Sequence, residues 1–387
     1  MAATGKYVVG TTAGETFQSF IPDMLPPDPM PGLEEGDFDL MEKANRALGR
    51  LDGIATLLPD PALFIYFYVR KEALLSSQIE GTQSSLSDLL LFESEDAPGI
   101  PVNDVQEVSN YVAAMDHGLL RLRRDSFPLS ARLIREIHAV LLSKGRGSER
   151  SPGEFRRSQN WVGGTRPSNA RFVPPPMENV PDLMANLERF LHDDPRPTPV
   201  LIKAAIAHVQ FETIHPFLDG NGRLGRLLIT FVLRAEGALQ EPILYLSLFF
   251  KQHRQEYYDH LQRVRTEGDW IGWLRFFLTG VHETCQQAGQ TAQAILRLFE
   301  ESRRKIEGLG RRAGSAHRVH EYLKKRPVLS ASTAAAGLGM STPTVQTVLT
   351  GLMQLGLVRE ITGRHWRRTY VYEPYMRILS EGTEPLR

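Results

Sequence analysis

Residues 215–226, HPFLDGNGRLGR, pack an imidazole, a carboxylate, an amide, two guanidinium groups and three glycines into twelve positions. Together these groups suit an anionic ligand. Glycine lets backbone N–H groups approach anionic oxygens closely, and a helix beginning in this stretch would add the partial positive charge of its N-terminus. Arg223 and Arg226, three residues apart on such a helix, can reach the same ligand.

The stretch also contains GNGRLG, residues 220–225, which matches the GxGxxG pattern of dinucleotide-binding loops. That pattern has meaning only after a strand, inside a βαβ unit. Here it follows PVLIKAAIAHVQFETI, residues 199–214, an apolar segment of mixed period that reads as a helix packed in a core. The order helix, loop, helix excludes a Rossmann-type site.

In that context the stretch resembles the signature of the Fic family, HPFx(D/E)GNGRxxR, met in full by His215, Pro216, Phe217, Asp219, Gly220, Asn221, Gly222, Arg223 and Arg226. The resemblance implies a mainly α fold, a helical core with a small β-hairpin flap. It further implies an adenylyltransferase, which moves AMP from ATP to a Ser, Thr or Tyr hydroxyl of a protein target. His215 would be the general base, because imidazole titrates near neutrality. Asp219 would hold Mg2+ against the phosphates. Asn221 and the N–H groups of Gly220 and Gly222 would line an anion hole, with Gly225 in the same nucleotide-binding set. Arg223 and Arg226 would grip the β- and γ-phosphates in bidentate fashion. A phosphorylating relative carries lysine where this chain has Gly222, so glycine here favours nucleotide transfer over kinase chemistry.

Two further segments carry the resemblance outward. SSQIEG, residues 76–81, is similar to the inhibitory pattern (S/T)xxxE(G/N) found in many Fic proteins, through Ser76, Glu80 and Gly81. It implies that Glu80 pairs with Arg226 and withholds that arginine from the γ-phosphate. Trp161, Val162, Gly163 and Gly164, with residues 171–173, resemble the family's flap, which pairs with a target segment as an added strand.

At 387 residues the chain has room for two or three domains. We expect a helical N-terminal region carrying the inhibitory segment over residues 1–125, a catalytic core over 126–306 and a further module over 316–387. Hydrophobic residues make up 42% and charged residues 23%, as in an ordinary globular protein, and no apolar run is long enough to span a membrane. The first residues lack a basic start followed by an apolar stretch, and the single cysteine, Cys285, suits a reducing compartment. A cytoplasmic location is the expectation. Net charge is zero, yet residues 311–387 hold twelve Lys or Arg against five Glu, which suggests a separate and anionic partner for the C-terminal module.

Local patterns predict an extended, proline-rich arm over 1–33 and helices over 37–58, 62–79, 102–123 and 129–142. Short strands are expected at 156–162 and 170–173 around Gly163 and Gly164. Helices follow at 180–192, 199–214, 224–237, 246–268 and 270–306. EGLGRRAGS, 307–315, reads as a linker. Beyond it lie helices at 317–325, 331–338 and 342–355, the last capped by Ser341, and strands at 357–361 and 369–372 around a basic turn at 363–368. This order resembles a winged helix-turn-helix, a module used for DNA binding and for protein contact. His208, His253 and His260 show no zinc-ligand spacing. Two other functions stay open at this point: a nucleotide-sensing, DNA-binding regulator, and a hydrolase that removes AMP with Glu80 orienting water. UMP or phosphocholine transfer stays open too, as does the oligomeric state, a homodimer included.

Overall fold

The computed structural model describes residues 4–385, apart from residue 13 and the segments 58–59, 94–101, 125–126 and 364–367. The chain opens with an antiparallel hairpin, β1 (Gly5–Thr12) and β2 (Glu15–Pro22). Helices α1 (Glu35–Leu57), α2 (Pro61–Ile79), α3 (Leu86–Glu93), α4 (Val102–Arg124) and α5 (Ala131–Leu141) follow. Then come α6 (Val180–Leu191), α7 (Val200–Ile214), α8 (Asn221–Ala235), α9 (Ser247–Gln252), α10 (Arg254–Glu267) and α11 (Trp270–Glu307). The C-terminal part comprises α12 (Ala313–Lys325), β3 (Val328–Ser330), α13 (Ala331–Leu338), α14 (Thr342–Gln354), β4 (Val358–Glu360), β5 (Thr369–Tyr372) and α15 (Glu373–Leu379).

Local chemistry sets several of these boundaries. Asp60 caps α2 by accepting from Leu63 N–H, with Pro61 at the first helical position, and the helix stops before Gly81, whose φ of 102° suits glycine alone. Ser130, Asp269 and Ser341 cap α5, α11 and α14 in the same way. Helix α7 is the centre of the molecule: α6, α8, α10, α11 and β2 pack around it, and every residue from Leu201 to Ile214 is buried. Helix α4 crosses α2, α5 and α8. It approaches closely at Gly118, where an added Cβ would lie 2.4 Å from Phe231 Cζ and 3.0 Å from Ile137 Cδ1.

The order α12, β3, α13, α14, β4, β5 closes a three-stranded antiparallel sheet in the order β3–β5–β4. Helix α15 then returns to the main body. Tyr375 meets Phe67 of α2 edge-on at 5.4 Å between ring centroids, and Tyr372 OH shares a 2.7 Å hydrogen bond with Ser302 Oγ of α11.

Several sequence expectations need correction. The N-terminal arm is extended only after Pro22; before it lies a hairpin that seats on α7, with Phe17 and Ser19 buried on one face of β2 and Phe20 and Pro22 on the other. Helix α3 has no counterpart in the sequence reading, since eight residues are too few for periodicity to declare itself. Residues 156–160 are not a strand: the flap pairs only through a bridge between Val162 and Phe172, and the backbone N–H of Arg156 donates to Pro216 O instead of to a partner strand. The expected helix over 246–268 is two, α9 and α10, broken at His253. The helix expected from residue 224 begins at Asn221. The linker over 307–315 is mostly helical, with a 3-10 turn at Gly310–Arg312 running into α12. The proposed basic turn lies partly outside the described residues. Among the described residues no helix is long and apolar enough to cross a membrane.

Replacing Gly118 with valine should force α4 away from α8, since Phe231 is buried and cannot yield. Overpacking of this kind costs about 1–3 kcal/mol, to be read as a lowered urea midpoint with unchanged m-value.

Candidate active site

Helix α7 ends at His215, which turns into the left-handed region at φ 51°, and the chain resumes as α8 after Gly220 at φ 77°. A non-glycine residue in that conformation costs of order 1 kcal/mol or more and persists only where its surroundings dictate it. Arg156 does so. Its Nε donates to His215 O at 3.0 Å, its other nitrogens donate to the carbonyls of Ser158 and Pro175, and its backbone N–H donates to Pro216 O at 2.9 Å. Phe217 anchors the loop in the core, stacked on His138 at 3.7 Å between centroids. Since His138 Nδ1 accepts from Gly153 N–H, the ring proton sits on Nε2 and is donated to Asp219 O at 3.0 Å.

His215 lines a cleft of about 280 Å³ together with Glu80, Val162, Gly163, Gly222 and Arg226. Its Nδ1 faces the Glu212 carbonyl at 3.4 Å, so a proton placed there leaves Nε2 as the basic atom. Burial, followed by the charges of Arg156 and Arg265, pushes the imidazole down to about 4. It is therefore neutral at physiological pH.

Arg226 is buried. Its Nε donates to Ser76 Oγ at 2.8 Å, and its Nη2 donates to Ser76 O at 2.9 Å and to Glu80 Oε1 at 2.7 Å. Burial works to raise the Glu80 carboxyl, but the charge and hydrogen bond of Arg226 outweigh it and hold Glu80 ionised, with 33% of its side chain open to the cleft. The approach requires glycine at 222: a Cβ there would lie 2.3 Å from Glu80 Oε1 and 3.2 Å from Arg226 Nη1. Gly81 lets the chain turn away immediately afterwards.

Arg223 is aimed by a residue that no motif announced. Its Nη1 donates to Glu107 Oε2 at 3.3 Å from α4, and Glu107 also accepts from Thr82 Oγ1, one residue past Gly81. Arg223 Nη2 reaches Asp219 Oδ1 at 3.5 Å, an oxygen that also takes Gly220 N–H at 2.6 Å. The other oxygen, Oδ2, is held over the Gly147 backbone. The partly exposed Asp219 carboxylate is the kind of ligand Mg2+ takes, since that ion keeps several waters and uses one or two carboxylates plus substrate phosphates.

Two assigned roles change. The Asn221 amide does not line an anion hole: Oδ1 accepts from Phe217 N–H and Nδ2 donates to Phe217 O, both at 2.9 Å, which clamps the loop shut. Because α8 starts at Asn221, the first-turn N–H groups of Asn221, Gly222 and Arg223 have no intrahelical acceptor and are the donors available to an anion. Gly220 N–H is already engaged by Asp219. Gly225 lies at the α7–α8 crossing, where a Cβ would meet Glu212 Oε1 at 2.2 Å and where its carbonyl faces His208 Nδ1 at 2.9 Å. It is a packing glycine.

In the flap, Val162 and Phe172 exchange backbone hydrogen bonds of 2.8 and 3.1 Å, and Gly163 and Gly164 both turn at φ 70°. Trp161 is 39% exposed beside them. Phe172 lies beneath the Arg265 guanidinium at 3.9 Å, and Phe20 N–H of β2 donates to Val173 O, so the N-terminal hairpin backs the flap. Glu212 completes the cleft: its Oε1 is buried without a hydrogen-bond partner among the described residues, and burial pushes its carboxyl up to about 7. Sequence reasoning missed Glu72, Glu107, Glu212 and Arg156. For Glu72 and Glu212 the available signal was a charged residue inside an otherwise apolar helix, which calls for a buried partner; Glu107, in a polar helix, and Arg156, in a loop, carried no such signal.

The Fic/DOC family N-terminal region matches residues 38–120, and the Fic/DOC family domain matches residues 128–233, the span that holds the loop just described. Residues 38–120 and 128–233 thus carry the two regions of the Fic/DOC family. It is 35% identical over 201 residues to a protein adenylyltransferase Fic of Aedes aegypti, covering 51% of this chain and 37% of that protein. A protein adenylyltransferase Fic of Culex quinquefasciatus is 28% identical over 301 residues, 75% of this chain and 56% of that protein. The chain thus spans about a third to a half of the length of these curated relatives. A Fic family protein from Desulfovibrio desulfuricans G20 shares the fold, with a TM-score of 0.58 and 21% identity, over 88% of this chain and 97% of that one. The Fic/DOC domain match ends at residue 233, whereas the cleft draws Arg254, Tyr257, Tyr258 and Arg265 from α10.

The buried imidazoles give an expected pH dependence of stability. Burial lowers His138, His215 and His320 to about 4 and His208 to about 3, from an unfolded value near 6.5. The unfolded chain therefore binds more protons as pH falls below 6.5, and stability drops until pH nears 4. Glu72 and Glu212, raised to about 7 by burial, offset part of this loss down to pH 4.5 and nothing below it. Urea midpoints measured from pH 8 to 4 should fall below pH 6.5 and more steeply below 4.5.

Proposed function

We propose that this chain is a protein adenylyltransferase that moves AMP from ATP to a hydroxyl of a protein target and that Glu80 holds in check. The observation that carries the reading is the engagement of Arg226, in the second turn of α8, by Ser76 and Glu80 on one wall of the cleft that His215 lines. A guanidinium so placed suits a terminal phosphate, and a carboxylate bound to it competes for the same donors.

In the reaction, His215 Nε2 accepts the proton of the acceptor hydroxyl. The hydroxyl oxygen bonds to the α-phosphorus, the bond to the β-phosphate bridging oxygen breaks, and pyrophosphate leaves. A pKa near 4 keeps the imidazole unprotonated before ATP binds, and the charge of the arriving triphosphate raises its basicity for the step. Arg223, aimed by Glu107, and the first-turn N–H groups of α8 stabilise charge on the β-phosphate. Mg2+ on Asp219 would neutralise phosphate oxygens when bound. The flap edge at Val162 and Gly163 would align the target's backbone beside the cleft.

The C-terminal order of α12, β3, α13, α14, β4 and β5 supports reading residues 313–372 as a winged helix. Its α14 exposes Thr344, Thr347 and Thr350 and carries no acidic residue, which leaves contact with DNA or protein open to that face.

Labelling with α-phosphate-tagged ATP tests the reading. Glu80→Gly should raise self-labelling by roughly tenfold, the worth of about 1.4 kcal/mol of competition for Arg226. His215→Ala in the Glu80→Gly background should lose roughly 10²–10⁴ of that rate while still binding ATP. Equal or lower labelling by a folded Glu80→Gly protein would overturn the inhibitory role. Release of AMP from a pre-labelled target, dependent on Glu80, would establish hydrolysis instead.

A further inference from the structure

The last turn of α2, which sets the position of Glu80, is held from outside the catalytic domain. Gln78, inside the inhibitory segment, is buried, and its Nε2 donates to Ser84 O at 3.0 Å and to Thr383 O at 2.8 Å. The second acceptor belongs to the tail after α15. That tail is gripped again from α9, where Lys251 Nζ donates to Gly382 O at 3.2 Å and to Glu384 O. Gly382 turns at φ 76° against Leu248 of the same helix, with room for no Cβ: one would lie 2.8 Å from Leu248 Cδ1. Lys71, two turns upstream of Gln78, is buried with no hydrogen-bond partner for its ammonium among the described residues. The charges that favour its protonated form are Glu381 and Glu384 of the tail. Tyr375 and Leu379 of α15 cover Phe64, Phe67 and Tyr68 on the same face of α2.

We infer that residues 380–384 form a latch on the inhibitory helix, positioning Glu80 against Arg226 through Gln78, so that the C-terminal module controls access to the nucleotide site. The inference rests on the reading of Glu80 as an inhibitor and extends it to a control element more than 300 residues away in sequence. Glu80 is only the cap of α2 and is partly open to the cleft, so its place depends on where the final turn sits. With the tail displaced, Gln78 keeps one bond of two and Lys71 loses its counter-charges. The last turn then frays, and Arg226 becomes available to a phosphate. A ligand on the exposed face of α14 acts on the same seam, because α15 follows β5 without an intervening loop. A chain ended near residue 307 lacks this latch, so the C-terminal module is not simply separable from the catalytic unit.

Two full-length variants test the latch without touching His215, Arg226 or Glu80. Gly382→Val dislodges the tail through its positive φ and the clash with Leu248, and Gln78→Leu removes the donor from the α2 side. In both, hydrogen–deuterium exchange of the amides of residues 76–81 should quicken by roughly tenfold, the signature of local opening. Self-labelling from tagged ATP should rise toward the Glu80→Gly level, and adding Gly382→Val to Glu80→Gly should bring no further rise. A merely destabilising change would lower labelling rather than raise it. Unchanged exchange at 76–81 in both variants overturns the latch. If Glu80→Gly itself fails to raise labelling, the inhibitory reading fails, while exchange still decides whether the tail holds the helix.

Discussion

Helix α7 is buried on every side, and the rest of the molecule is arranged around that constraint. A helix without a solvent face must find an internal partner for each polar side chain it carries. Lys203 lies 2.8 Å from Asp193 and 2.6 Å from Glu236, at the ends of α6 and α8. His208 bonds to Gly225 O and Tyr257 OH, tying α8 and α10 to it, and Gln210 donates to Asp23 O beyond β2. Glu212 alone keeps a buried oxygen unbonded, and it does so in the cleft. The catalytic loop inherits its rigidity from this framework, since it is only the turn between α7 and the almost equally buried α8.

The two arginines at the start of α8 are oriented by elements that precede the Fic/DOC domain in the chain. Arg226 is held by the end of α2 and Arg223 by Glu107 of α4. Buried ion pairs contribute little net stability once desolvation is counted, but they specify geometry, and removing one partner leaves a buried charge exposed to whatever can bind it. Arg226 is thereby pre-organised by Ser76 and engaged by Glu80. It is held by Ser76 as well as by Glu80, through Nε to Oγ and through Nη2 to the Ser76 carbonyl. Glu72, one turn before Ser76, accepts from Ser247 Oγ of α9 and from Tyr111 OH of α4, which stiffens the helix up to that turn.

Much of this was legible in the chain itself. The long helices have strong apolar periodicity and capping residues, so their bounds fall within a few residues of those observed, and the residues of the loop come together because they are contiguous. The misses share a cause. Helix α3, strand β3 and the break at His253 are short features decided by what packs on them. Glycines and charges in residues 307–315 resemble a linker, yet they form a 3-10 turn and the start of α12 because α12 packs against α11. Asn221 and Gly225 sit inside a ligand-like motif and serve the loop and the helix crossing instead, a distinction that composition cannot make.

By itself the sequence determined the helical scaffold and gathered an imidazole, a carboxylate, two guanidinium groups and three glycines into one segment, because these depend on local propensity and on spacing along the chain. Only the tertiary structure decided which partners those groups have: Glu80 on Arg226, Glu107 on Arg223, Arg156 beneath His215 and Thr383 on Gln78. Each of these contacts joins residues from 59 to 305 positions apart, and such pairings follow from how buried helices cross rather than from any pattern along the chain.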